Sequence, residues 1–175
     1  MNKKILPIAL LFLSFFAGCG YSTRSLLPGN FKTIHVAPFK NNITYTNERY
    51  RNLYLPLLEV NVRNAIVDRF LFDGNLDIVE EDPADLVLKG ELIGFERDVL
   101  RYTEDNDVQE YRIRVIVSLA LWDNAEKKTL WVEPHFVGET TYFPAGSQAT
   151  SESVAIEDAL VDLARRLVER TIEDW

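Results

Sequence analysis

The chain carries one cysteine, and the residues in front of it define what that thiol can do. Lys3 and Lys4 lead into an apolar run from Ile5 to Phe16, and Ala17-Gly18 separate that run from Cys19. A basic start, a short apolar core and small residues make a secretory signal, too short to span a bilayer. Elsewhere the chemically capable residues are scattered. His35 and His135 lie in separate segments, and neither has a nearby Cys or helical His partner. No metal-ligand spacing results, so no metal site is expected. Ser118, Ser147, Ser151 and Ser153 lack the Gly-x-Ser-x-Gly elbow of a hydrolase. No phosphate-cradling loop occurs among the eight glycines. Glu80-Glu81-Asp82 reads as a solvated acidic turn. No cofactor is implied, and the expectation is a binding or assembly protein rather than an enzyme.

Small residues directly before a cysteine resemble the lipobox of bacterial lipoproteins, in which the thiol is diacylated and cleavage leaves that cysteine first. Phe16 stands where the pattern usually has Leu. The other reading of these residues is an ordinary cleaved signal with a free thiol. Lipidation at Cys19 divides the chain into a signal peptide (1–18), a lipidated tether (19–30) and one domain (31–175). The tether is marked by Ser22, Thr23, Ser25, Pro28, Gly29 and Asn30. Anchoring then rests on acyl chains, more than one being needed for a stable hold. Gly20 follows the cysteine where an Asp signals inner-membrane retention, so lipoprotein sorting implies an outer-membrane address on the periplasmic side.

Removing the signal leaves 17 basic against 27 acidic residues. Such an acidic chain is a poor candidate for nucleic acid or for a polybasic membrane patch. Its 47% hydrophobic and 26% charged residues are those of a folded domain. With Cys19 acylated no thiol remains, and the fold must stand on packing without disulfides.

The elements follow from periodicity. Phe31 to Phe39 reads as a strand with Ile34 and Val36 on one face, ended by Pro38. Leu55, Leu58, Val62, Ala65, Ile66 and Phe70 make a helical stripe, with Pro56 in its first turn and Asp73-Gly74-Asn75 as its stop. The segment from Glu48 to Tyr54 adds a turn or loop. Leu76 to Val79 is a short extended piece. Three alternating stretches follow, about Asp85–Arg101, Gln109–Trp122 and Thr129–Tyr142, joined by short polar connections. Pro134 marks the third as an edge strand or a bulged one. From Ser151 a helix aligns Ile156, Ala159, Leu160, Leu163, Ala164, Leu167 and Trp175, with Ser151 and Ser153 as caps. The expected fold is an α+β two-layer sandwich. Its sheet is mostly antiparallel with about four strands, in the order strand, helix, three-strand meander, helix, and both helices pack on one face.

Pairing the first two meander strands with Tyr102 opposite Gln109 puts Leu88, Leu92, Leu119 and Leu121 under the helices. Arg97, Arg101, Arg112 and Arg114 then share the other face, where like charges need an answer. Glu110 and Glu139 can supply it as a surface ion network; an anion or acidic partner is the alternative. The same face gathers Ile93, Phe95, Ile116, Trp122, Trp131 and Val137; two Trp on a face without helices suggest docking, the alternative being that the tether from Tyr21 to Asn30 or a bent sheet covers them. A one-residue slip would scatter the cluster.

Cys19-Gly20-Tyr21, then Ile34-His35-Val36-Ala37-Pro38-Phe39-Lys40-Asn41, then Ala84-Asp85-Leu86-Val87-Leu88-Lys89-Gly90 and the amphipathic C-terminal helix resemble the LptE family of lipopolysaccharide-assembly lipoproteins. The likeness covers the mature chain, and the order of the motifs carries it. It implies a lipoprotein of the outer membrane that plugs the β-barrel lipopolysaccharide translocon one-to-one, assists its assembly and contacts lipopolysaccharide. It makes Arg97, Arg101, Arg112 and Arg114 candidates for phosphate contact, and Phe95, Ile116, Trp122 and Trp131 candidates for partner docking. The reading from another class is a lipid-anchored periplasmic module that binds a soluble or cell-wall ligand.

Overall fold

The computed structural model describes residues 31–43 and 55–173. The signal, Cys19, the tether, the segment 48–54 and Trp175 lie outside the described residues. The first strand forms as the alternation requires: β1 (Thr33–Val36) buries Ile34 and Val36 completely. Pro38 interrupts it, and the chain rejoins the sheet as β2 (Lys40–Asn41). The one-residue offset between Val36↔Leu88 and Lys40↔Glu91 marks the interruption.

Helix α1 (Leu58–Asp73) starts three residues later than its apolar stripe suggests. Leu57 sits at its N-cap in the left-handed region with φ 61°, so Pro56 lies in the preceding turn and not in the helix. Its stop is where Asp73-Gly74-Asn75 places it. Gly74 takes φ 73° and its N–H donates to the Phe70 carbonyl, a glycine C-cap. Leu58, Val62, Ile66 and Phe70 are buried on its inner stripe.

After α1 come β3 (Asp77–Ile78), the long strands β4 (Leu86–Tyr102), β5 (Val108–Asp123) and β6 (Lys128–Tyr142), and helix α2 (Glu152–Glu173). The sheet has six strands in the order β3-β1-β4-β5-β6, with β2 also on β4. It is mixed, which corrects the mostly antiparallel four-stranded expectation. β1 runs parallel to both β3 and β4, and β2 runs parallel to β4. A helix between two strands carries the chain back to its starting end, so β3 must enter beside β1 in the same direction. The meander β4-β5-β6 is antiparallel as expected.

A side-chain clip joins the first strand to the meander. Asp85 Oδ2 accepts the N–H groups of Lys32 (2.8 Å) and Thr33 (3.0 Å), and Thr33 Oγ1 accepts from Asp85 N at 2.9 Å. The Lys32 N–H bond is the main reason the Asp85 carboxyl is held below its ordinary value of 3.8. The motif that opens the meander is thus a fastening for the domain's entry strand.

Helix α2 covers β5 and β6 with Ala155, Ala159, Leu160, Leu163, Ala164, Leu167, Val168 and Ile172 buried. Ser151 Oγ accepts the Val154 N–H at 3.3 Å, the anticipated N-cap. Gly138 of β6 lets the helix in. A Cβ there would stand 2.8 Å from Leu163 N and closer than 3.0 Å to the Ala159 carbonyl oxygen. Pro134 lies where β6 loses register with β5, between Val117↔Phe136 and Leu119↔Glu133, and β6 is also the sheet's last strand. Both consequences of that proline hold together.

Candidate functional site

Whether the four arginines meet depends on the register of β4 against β5. That register shifts between Leu92 and Gly94, and again between Val99 and Arg101. In the first part of the ladder Leu88↔Leu121 and Leu92↔Val117 lie under the helices. One extra residue then inverts the facing, because side chains alternate with period two. Phe95 comes opposite Val115 and Arg97 opposite Ile113, both buried partners on the helix side. The second shift restores the original facing, and Arg101 pairs with Glu110.

The cluster therefore divides. Arg97 reaches the start of α2, where Nη1 donates to Glu152 Oε2 at 2.6 Å and the guanidinium lies 5.4 Å from the Tyr111 ring centroid. Partial burial disfavours its charge most, yet the Glu152 bond and charge outweigh this and raise its pKa. Tyr111 stacks on Tyr142 at 5.4 Å, and burial pushes the Tyr142 hydroxyl up. This group clasps the hairpin to α2.

Arg112 and Arg114 stay on the open face of the sheet. Arg114 Nη2 lies 2.6 Å from Glu96 Oε2 and 2.7 Å from Asp98 Oδ2, and the Asp98 bond leads in raising its pKa. Arg112 is 4.0 Å from Asp98, Glu139 stands opposite Arg114 in β6, and Arg101 Nε is 3.4 Å from Glu110. Each of the four arginines thus faces a carboxylate. Glu96 and Asp98 reach the arginine face through the same bulge that removes Arg97, an exchange that alternation alone does not reveal.

The proposed docking residues divide too. Phe95 is 4% exposed and belongs to the core, so it is not part of an open surface. Trp131 pairs with Leu121 because β6 slips between Trp131 and Thr129, and Arg170 of α2 lies 5.8 Å from its ring centroid. It faces the helix layer. Ile116 and Trp122 do lie on the open face, with Val137 opposite Ile116 and Lys89 over the Trp122 ring at 5.3 Å. Two hollows mark this face. One of 450 Å³ is lined by Pro38, Lys89, Ser118, Ala120 and Val132; one of 290 Å³ is lined by Ile43, Ile93, Gly94, Ile116 and His135.

Beyond the open face, β4 and β5 run on to a hairpin tip at which Val99, Leu100 and Tyr102 are exposed. At about 3.3 Å per residue the tip stands about 50 Å from the Asp85 end. A groove of 620 Å³ between the helices was not anticipated; Leu55, Leu58, Ala65, Ile156, Leu160 and Ala164 supply its apolar lining. Away from this groove, Leu57 before α1 and Val60, Leu71 and Phe72 within it are exposed. Among the described residues no group of His, Cys, Asp or Glu could hold a metal ion, and no helix is long and apolar enough to cross a membrane.

Solved structures share this fold at low sequence identity. Protein XCC0632 from Xanthomonas campestris matches with a TM-score of 0.55 at 14% identity, over 80% of this chain and 83% of its own. The hypothetical protein CT253 from Chlamydia trachomatis gives 0.53 at 15%, over 80% and 95%. A minor lipoprotein from Acinetobacter baumannii gives 0.52 at 11%, over 80% and 91%. No curated protein matches by sequence. The family described as Lipopolysaccharide-assembly, LptE, matches residues 31–174. The order of entry strand, meander and closing helix is thus that of a family, and this chain belongs to the LptE lipopolysaccharide-assembly family.

Proposed function

We propose that this protein is an outer-membrane lipoprotein, held by acyl chains on Cys19 at the periplasmic side. In this reading it plugs the β-barrel lipopolysaccharide translocon one-to-one, helps that barrel assemble, and assists lipopolysaccharide delivery to the surface without catalysing a reaction. The observation that carries the reading is the family match over the entire described domain. The fold supports it physically. Among the described residues one sheet face has no helix over it and offers Ile116, Trp122 and Val137 with two hollows, a surface suited to a barrel's inner wall. The A. baumannii neighbour is itself named a lipoprotein, in keeping with the anchor.

Direct contact with lipopolysaccharide phosphates would fall to Arg101, Arg112 and Arg114 on the open side. Glu96, Asp98 and Glu110 already hold these cations, so a phosphate must compete with carboxylates. The test is purification of the full-length protein from detergent-extracted membranes, with mass spectrometry of the complex and of the mature N-terminus. The expected result is one β-barrel protein in equal amount and a diacylated Cys19. An acylated protein recovered without a barrel refutes the plugging role. One observation favours the second reading, a periplasmic module for a soluble or cell-wall ligand: the 620 Å³ groove between the helices has the size of a ligand site.

A further inference from the structure

The outer surface of α1 ends in two consecutive apolar side chains that the fold does not use. Leu71 is 62% exposed and Phe72 81% exposed, while Phe70 beside them is fully buried. They stand just before the Gly74 cap, and the chain then turns into β3. There Asp77 pairs with Thr33, and the Asp77 N–H donates to the Lys32 carbonyl at 2.8 Å. Asp77 is five steps along the chain from Phe72, so Phe72 lies within about 18 Å of Asp77 and within about 23 Å of Lys32 by chain reach alone. Lys32 is where the tether enters the domain. From Cys19 to Phe31 is twelve residues, a span of at most about 42 Å. The apolar pair therefore sits at the anchored end of the molecule, with the hairpin tip about 50 Å away at the other.

From this placement we propose that Leu71 and Phe72 form a lipid-contacting lip that dips into the headgroup region of the membrane holding the Cys19 anchor. The inference rests on the anchor reading above. A single pair of side chains is too small a surface for stable binding alone, but the tether supplies proximity and leaves the lip to set orientation. Arg69 lies against the lip, its guanidinium 5.3 Å from the Phe72 ring centroid and its Nε buried among protein atoms. Lys32 apart, the surrounding end is acidic, with Asp73, Asp77, Glu80, Glu81 and Asp82. The fitting surface is thus zwitterionic rather than anionic.

Acylation consumes the chain's one thiol, so an added cysteine can be labelled alone. The experiment places a nitroxide at Asn75→Cys in the full-length acylated protein on phosphatidylcholine vesicles. Collision with lipid-soluble oxygen is then compared with collision with a water-soluble nickel chelate. The oxygen-to-nickel ratio is expected to be several-fold higher than in a Leu71→Ser/Phe72→Ser variant on the same vesicles. The same label at Tyr102→Cys is expected to stay water-exposed in both. Equal ratios at Asn75→Cys in protein that still floats with the vesicles would overturn the lip and leave the anchor standing. Loss of flotation together with a free Cys19 thiol by mass would overturn the anchor and the lip with it.

Discussion

Replacing Gly138 by Ala tests whether the helix layer is held as tightly as the geometry demands. The added methyl would lie 2.8 Å from Leu163 N and closer than 3.0 Å to the Ala159 carbonyl oxygen and Leu163 Cβ. Comfortable carbon contacts lie at about 3.5–4.0 Å, so α2 must retreat by about 1 Å. The obstacles are mostly backbone, and no side-chain rotation relieves them. Overpacking of this kind costs about 1–3 kcal/mol, and the backbone obstacles put this case at the upper end. The gain from a stiffer unfolded chain, about 0.4–1 kcal/mol, offsets part of it. A net loss of about 2 kcal/mol remains, or roughly 4–8 °C in Tm for a chain of this size. The assay is thermal unfolding by circular dichroism on the non-acylated Cys19→Ser protein. Gly94→Ala is the control, because a Cβ there meets only the Ile116 side chain, at 3.1 Å and beyond. That variant is expected to change stability by less than about 1 kcal/mol. If Gly138→Ala melts at or above the parent temperature, α2 does not rest on β6 as described.

Three other tests probe the division of the meander's faces and the clip at its start. Phe95→Ala is expected to cost about 3–5 kcal/mol as a core cavity, measured by urea unfolding, whereas Ile116→Ser on the open face is expected to cost less than half as much. Near-equal losses would mean that the bulge at Gly94 does not invert the strand. A double-mutant cycle on Arg97 and Glu152 is expected to give a coupling of about 0.5–1 kcal/mol, since both side chains are about one-third exposed; zero coupling would dissolve the clasp. Asp85→Asn is expected to cost about 1–2 kcal/mol at pH 7, reduced from a fully buried charge-assisted pair because the group is partly solvated. Its carboxyl is held below 3.8 when folded. Its contribution is therefore complete above that value and fades as pH falls through the folded pKa. The Tm gap between parent and variant should narrow below about pH 4, and a gap that widens on acidification would refute the clip.

What the sequence could reveal about this fold depended on whether the chain kept its period. Helix α2 keeps its apolar stripe, and Ala159, Leu160, Leu163, Ala164 and Leu167 are buried as its spacing requires, while Ala155, Val168 and Ile172 extend the buried face beyond the stripe read from the sequence. β5 alternates faultlessly from Ile113 to Leu121, and that strand also came out as read. β4 differs because Gly94 and its neighbours break the count. The alternation of Leu86, Leu88, Gly90 and Leu92 gives way to buried Phe95. A reader who carries the first phase through the bulge puts Phe95 and Arg97 on the wrong side. The bulge leaves only a faint mark in the sequence, a glycine beside a phenylalanine, because a single extra residue changes the facing without changing the composition. Trp131 fails for the same reason, one slip away on β6. The parallel strands were hidden differently: Asp77–Ile78 is too short to show a period, and only its return from α1 fixes its direction. The candidate site is thus most legible where it is least contested. Ile116 and Trp122 lie on the unbroken strand and stay on the open face. The arginines that straddle the bulge are re-sorted among carboxylates, so charge counting along the sequence overstates how much free cation this face can offer an anion.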